Sequence, residues 1–140
     1  MGEAFLDTDI LSEILKQRDE QVARRAADYQ KARGQFTISV LSVLEVVSGC
    51  HRLRREDRVQ QFLRAVDSLK VLPFETTAAE RAGRIEADLA RAGRIIGRAD
   101  SMIAATALTH ELTLVTGNLE HYQRIADLGY PLLLENWRSS

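Results

Sequence analysis

The sequence predicts an α/β domain with a mainly parallel central sheet flanked by helices on both faces. Short apolar runs alternate along the chain with longer segments of helical periodicity, the pattern of strand–helix–strand units. The short runs are largely apolar throughout, as strands covered on both faces require. Both prolines and most glycines fall near the ends of these elements, with no internal repeat, low-complexity stretch or linker between them. A chain of 140 residues is about what one core serves, so one domain is expected over residues 1–140.

The elements follow in order. Ala4-Phe5-Leu6 reads as a buried strand ending at Asp7. Thr8 and Asp9 are both good N-cap residues for a helix carrying Ile10, Leu11, Ile14 and Leu15. Glu20 to Arg33 is a second helix with Val22, Ala26 and Tyr29 on one face, and Gly34 is placed to stop it. Phe36-Thr37-Ile38 is a strand, and Ser39 caps a helix ending near Gly49, although its four valines would also suit a strand. Val59, Phe62, Leu63, Val66 and Leu69 make Glu56–Leu69 amphipathic. Val71-Leu72 is a strand closed by Pro73, and Thr77-Ala-Ala-Glu80 has the form of a capping box. An alanine-rich helix from about Ala99 to His110, a strand Leu112–Val115, a helix Glu120–Leu128 closed by Gly129 and a strand Leu132–Leu134 complete the chain.

Composition narrows the function. With 45% hydrophobic and 28% charged residues, the chain is neither a disordered tail, a collagen-like fibre nor a coiled coil. Nineteen basic and 20 acidic residues give a net charge of -1, so a polyanion has to be held by local patches. No apolar run approaches the ~18 residues of a membrane span, no secretory leader is visible, and Cys50 has no partner for a disulfide. A cytoplasmic protein is expected.

In open parallel sheets ligands bind beyond the carboxyl ends of the strands. Asp7 and Thr116-Gly117-Asn118 stand there, directly after two expected strands. For Asp7 a capping role is the less natural one, because Thr8 and Asp9 already offer caps. Glu45 interrupts an apolar helix, with Ser42, Ser48 and Gly49 as its neighbours on that face; it is either part of a solvated stripe or a ligand with room around it. Asp100 opens a nearly apolar helix, where a first-turn acid is also stabilised by the helix dipole. Carboxylates that converge need a cation, since otherwise at least one has its pKa raised. Hard ions such as Mg²⁺ and Mn²⁺ suit such oxygen donors. His51, His110, His121 and Cys50 lack zinc-type spacing, and no glycine-rich phosphate loop is present.

These residues resemble a known family. Phe5-Leu6-Asp7-Thr8-Asp9-Ile10-Leu11-Ser12 is similar to the opening strand and turn of PIN domains. Ser39-Val-Leu-Ser42-Val-Leu-Glu45-Val-Val-Ser-Gly49 resembles their second acidic motif, and Ile96-Gly97-Arg98-Ala99-Asp100-Ser101-Met102-Ile103-Ala104-Ala105-Thr106-Ala107 their third. Leu114-Val115-Thr116-Gly117-Asn118, then His121-Tyr122 and Glu135-Asn136-Trp137, resembles the fourth motif and tail of the VapC group. The resemblance implies a three-layer PIN-like fold and a Mg²⁺- or Mn²⁺-dependent endoribonuclease toxin of a type II toxin–antitoxin pair. Such an enzyme hydrolyses RNA phosphodiester bonds with a metal-activated water. The resemblance also implies a homodimer and a VapB-type antitoxin whose C-terminal segment occupies the active-site groove. By position, Asp7, Glu45 and Asp100 are the implied catalytic acids and metal ligands, and Asn118 the fourth catalytic position. Asn118 stands where Asp is frequent, and a neutral amide orients water or phosphate but is a poorer cation ligand. Asp9 stands where Asn is common; it either binds a water-bridged metal or caps the helix, and the cap is the favoured role.

For RNA, Arg outnumbers Lys sixteen to three, and guanidinium groups suit bidentate phosphate contacts. The run His51-Arg52-Leu53-Arg54-Arg55 is either such a patch or a solvated turn. Four Phe, three Tyr and one Trp, several of them on apolar faces, do not indicate base stacking as the main binding mode. Two other readings stay open. A HAD-like phosphatase fits the Asp7-Thr8-Asp9 loop and Thr116, but lacks a lysine beyond Thr116, since Lys70 is the last one. A catalytically inactive PIN-like binding domain is the other.

Overall fold

The computed structural model describes residues 2–138. Its strands are β1 (Ala4–Leu6), β2 (Thr37–Ser39), β3 (Lys70–Leu72), β4 (Thr113–Val115) and β5 (Leu133–Glu135). Its helices are α1 (Thr8–Lys16), α2 (Glu20–Arg33), α3 (Val40–Arg52), α4 (Glu56–Val66), α5 (Thr76–Arg91), α6 (Arg98–Thr109) and α7 (Leu119–Asp127). The strands form one sheet in the order β3-β2-β1-β4-β5, and every neighbouring pair is parallel. Phe5 lies opposite both Thr37 and Leu114, and Leu6 opposite Ile38 and Val115.

Side chains on a strand alternate between faces, and that alternation divides the core in two. Phe5 and Leu114 point into one cluster with Ile85, Leu89, Ile103 and Ile125 of α5, α6 and α7. Ala4, Leu6, Ile38 and Val115 point into the other, with Ile10, Leu11, Val22, Phe62 and Trp137. Helices on both faces of a parallel sheet make the three layers the sequence led us to expect. Ala104, Ala105 and Ala107 of α6 have no exposure at all, which fits the close packing expected of that helix.

Some local expectations change. The valine-rich α3 is a helix and runs on to Arg52, past Gly49. Each β-branched residue costs only a few tenths of a kcal/mol in a helix. Ser39 Oγ accepts the Leu41 N–H at 3.0 Å, and packing of Val43, Val46 and Val47 against the second cluster adds to it. Gly49 stays helical with nothing within 4 Å of the place a Cβ would take. The capping box at Thr77 is not used: α5 starts two residues earlier, with Glu75 at its N-cap and no side-chain cap bond. Strand β2 is displaced by one residue, so Ser39 both ends the strand and caps α3. Helix α4 closes at Val66 and leaves Leu69 in the turn before β3.

Candidate active site

The strand order places the site. From β1 the chain steps outward through β2 to β3, then returns to the opposite side of β1 for β4 and β5. The reversal lies between β1 and β4, where the helices that follow diverge and leave a crevice. Asp7 and Thr116 are the residues that follow these two strands, and the Asp7 N–H donates to the Val115 carbonyl at 2.9 Å.

Asp7 is buried and held from both sides. Its Oδ1 accepts the Thr8 N–H at 2.9 Å, and its Oδ2 accepts the Thr116 hydroxyl at 2.8 Å. Asp7 is therefore the N-cap of α1, a role the sequence made appear the less natural one. Thr8 and Asp9 are already inside the helix, because β1 ends at Leu6 and leaves no further residue between strand and helix. Asp9 is not a cap. Its Oδ2 accepts the Gly117 N–H at 2.9 Å and faces Arg138 Nη1 at 3.5 Å, while its buried Oδ1 has no hydrogen-bond partner.

Glu45 reaches the same end of the sheet from α3. Thr8 donates its hydroxyl proton to Glu45 Oε1 at 2.6 Å, so the 2.8 Å contact between Thr8 and Ser42 has Ser42 as donor. Glu45, partly buried, is thus fastened to the residue next to Asp7. Asp100 arrives from the first turn of α6, whose N-cap Gly97 offers no side chain. Its Oδ1 accepts the Tyr122 hydroxyl at 3.2 Å, and its Oδ2 lies 3.4 Å from His121 Nδ1. Asn118 is exposed at the mouth, and its N–H donates to Thr116 Oγ1 at 3.0 Å.

The charges act on one another. Burial first, and then the neighbouring charges of Asp9 and Asp100, push the Asp7 carboxyl up from 3.8 to about 6, against the hydrogen bonds from Thr116 and Thr8. Burial, with Asp7 and Asp100 nearby, likewise pushes the Tyr122 phenol far upward, so it stays a proton donor. Among the described residues no three His, Cys, Asp or Glu side chains stand together as a ready-made metal cluster. The chemistry of the donors nevertheless suits a hard divalent ion: all are oxygens, Asp7 carries uncompensated repulsion, and Asp9 holds a buried oxygen without a partner.

Comparison with known proteins places the fold. The PIN domain family model matches residues 4–128, and all four acids considered above fall inside that span. The chain belongs to the PIN domain family. It is 31% identical over 128 residues to the tRNA(fMet)-specific endonuclease VapC of Shigella flexneri, covering 89% of this chain and 92% of that protein. Against the tRNA(fMet)-specific endonuclease VapC of Salmonella typhimurium it is 30% identical, covering 95% of this chain and 96% of the relative. Among solved structures, DNA-bound VapBC from Salmonella typhimurium superposes with a TM-score of 0.81 at 29% identity, over 98% of this chain and 99% of that one. A HAD-like phosphatase is thereby set aside, and this PIN domain is a ribonuclease of the VapC kind.

Three residues of the PIN domain's site were legible only in part. Thr8 read as a cap and is the clasp on Glu45; Thr116 read as a position after a strand and is the clasp on Asp7; Tyr122 entered only through resemblance and bonds to Asp100. No local signal marks such partners, which lie 37, 109 and 22 residues away in the chain. Beside the acids runs a groove of about 680 Å³ between α1, α3 and α4, lined by Thr8, Glu45 and Cys50 and by the cations Lys16, Arg18 and Arg58. Arg52, Arg54 and Arg55 are exposed just past it, with Arg55 paired to Asp57 at 2.7 Å. Tyr29, Phe36 and Trp137 are buried and pack on one another in the core.

Proposed function

We propose that this PIN domain is a Mg²⁺- or Mn²⁺-dependent endoribonuclease toxin whose acidic core is Asp7, Glu45 and Asp100, with Asn118 at the mouth. The observation that carries it is the fastening of buried Asp7 at the β1/β4 reversal, its pKa raised first by burial and then by the charges of Asp9 and Asp100. Thr8 and Thr116 hold Glu45 and Asp7 in place, so little reorganisation is needed when charge arrives. Asp7, Glu45 and Asp100 would hold the divalent ion, which would supply the positive charge that lets them ionise together and Lewis acidity toward phosphate and water. Asn118, exposed and uncharged, offers its amide to water or phosphate. Lys16, Arg18 and Arg58 along the groove supply the local positive charge that a chain of net charge -1 needs to hold a polyanion.

The same reading includes a homodimer and a VapB-type antitoxin whose C-terminal segment fills the groove beside Glu45. Its support is the likeness to solved VapBC complexes and the groove's place next to the acids. No helix among the described residues is long and apolar enough to cross a membrane, and a cytoplasmic enzyme acting on RNA is the reading we adopt. Because two relatives are named for tRNA(fMet), initiator tRNA is the first substrate to test. With Mn²⁺ present, purified protein cleaves RNA, chelator stops it, and Asp7→Asn or Asp100→Asn reduces the rate at least about 100-fold while the fold persists by circular dichroism. Equal cleavage by wild type and variants overturns the assignment.

A further inference from the structure

Tyr122 is fully buried on α7, yet its hydroxyl emerges where polar chemistry is concentrated. The ring belongs to the cluster formed by Phe5, Ile103, Leu114 and Ile125, which leaves it no room to swing. Its hydroxyl donates to Asp100 Oδ1 at 3.2 Å. Asp100 itself is only half-buried, in the first turn of α6, and the His121 contact to Oδ2 is long at 3.4 Å. The Tyr122 hydroxyl is therefore the best-fixed partner that this carboxylate has. Asp7 stands beside the same hydroxyl as a second acceptor, while Asp100 Oδ2 faces His121 at 3.4 Å.

We propose that Tyr122 is a positioning residue: its core-locked hydroxyl holds the Asp100 carboxylate in the orientation that receives a divalent cation. The inference rests on the metal-dependent reading above. A hydrogen bond from a rigid group to a ligating carboxylate sets the torsion of that ligand before the ion arrives. Without it Asp100 must give up rotational freedom on binding, and affinity falls. Phenylalanine keeps the ring and its packing and removes only the donor, while the half-exposed Asp100 regains water. Stability consequently changes little.

The test is calorimetric titration of the full-length chain with Mn²⁺, comparing wild type with Tyr122→Phe. The expected result is a dissociation constant for Mn²⁺ weakened about 10–100-fold, with an unchanged melting temperature in chelator. In RNA cleavage, kcat falls at low Mn²⁺ and recovers as Mn²⁺ is raised, while KM for RNA stays put. An Mn²⁺ affinity within about twofold of wild type overturns the positioning role and leaves the metal-dependent reading standing. Wild type that binds no Mn²⁺ removes both. A melting temperature that drops sharply in Tyr122→Phe would mean that the hydroxyl serves the fold, which also overturns the proposal.

Discussion

Asp7 illustrates how a single side chain carries opposing duties. It caps α1 and closes the Thr116 turn, both of which favour the carboxylate, yet burial and the charges of Asp9 and Asp100 raise its pKa to about 6. The sign of the pH dependence follows. A carboxyl whose folded-state value is raised contributes its stability below the unfolded value of 3.8 and loses it as the pH climbs through about 6. The gap between those values corresponds to about 3 kcal/mol. In chelator at pH 8, Asp7→Asn should thus be more stable than wild type by up to about 3 kcal/mol, with the advantage shrinking as pH falls from 6 to 4. Urea unfolding midpoints across that range measure it, and a wild type that gains on the variant with rising pH contradicts the assignment of charge.

At the scale of the element, α3 shows a cap and a packing face prevailing over intrinsic preference. Four valines argue for a strand, but Ser39 is almost wholly buried and its hydroxyl answers the Leu41 N–H. Replacing Ser39 by Ala leaves that N–H unanswered and should cost about 1 kcal/mol of stability, read as a lower urea midpoint with an unchanged slope. The helix also aims Glu45 at Thr8, so the same substitution should lower Mn²⁺-dependent cleavage if the start of α3 shifts. The placement of Glu45 on a small-residue face was visible in the sequence. Its partner was not, because a hydrogen bond spanning 37 residues depends on how α1 and α3 cross.

For the whole molecule, the C-terminal segment ties the outer strand to the site. Trp137 is buried against Tyr29 and Phe36, its indole N–H donates to Glu135 Oε1 at 3.1 Å, and Arg25 pairs with that same carboxylate. The Glu135 carbonyl accepts the Thr116 N–H at 2.9 Å, and Arg138 meets Asp9 and Glu13. Trp137→Ala removes a large buried ring and should cost about 3–5 kcal/mol, measured by urea or thermal unfolding. Because the Thr116 turn hangs on β5, cleavage should fall along with stability. A variant that loses stability but keeps full activity would show that the tail serves the core alone.

The alternation of short apolar runs with amphipathic segments was enough to determine the α/β class, the element order and the three layers, since burial of a strand on both faces leaves its mark on every residue of that strand. The acids at 7, 45 and 100, with Asn118, stood out in the chain only through the resemblance to PIN domains, since Glu45 and Asp100 each also had a structural reading. What only the tertiary structure decided is which side chains hold those acids. Asp7 proved a cap and Asp9 a clamp on Gly117; Thr116 and Tyr122 proved the donors to Asp7 and Asp100. Periodicity records which face of an element meets the core, whereas a bond between two loops is set by the crossing of strands and helices far apart along the chain.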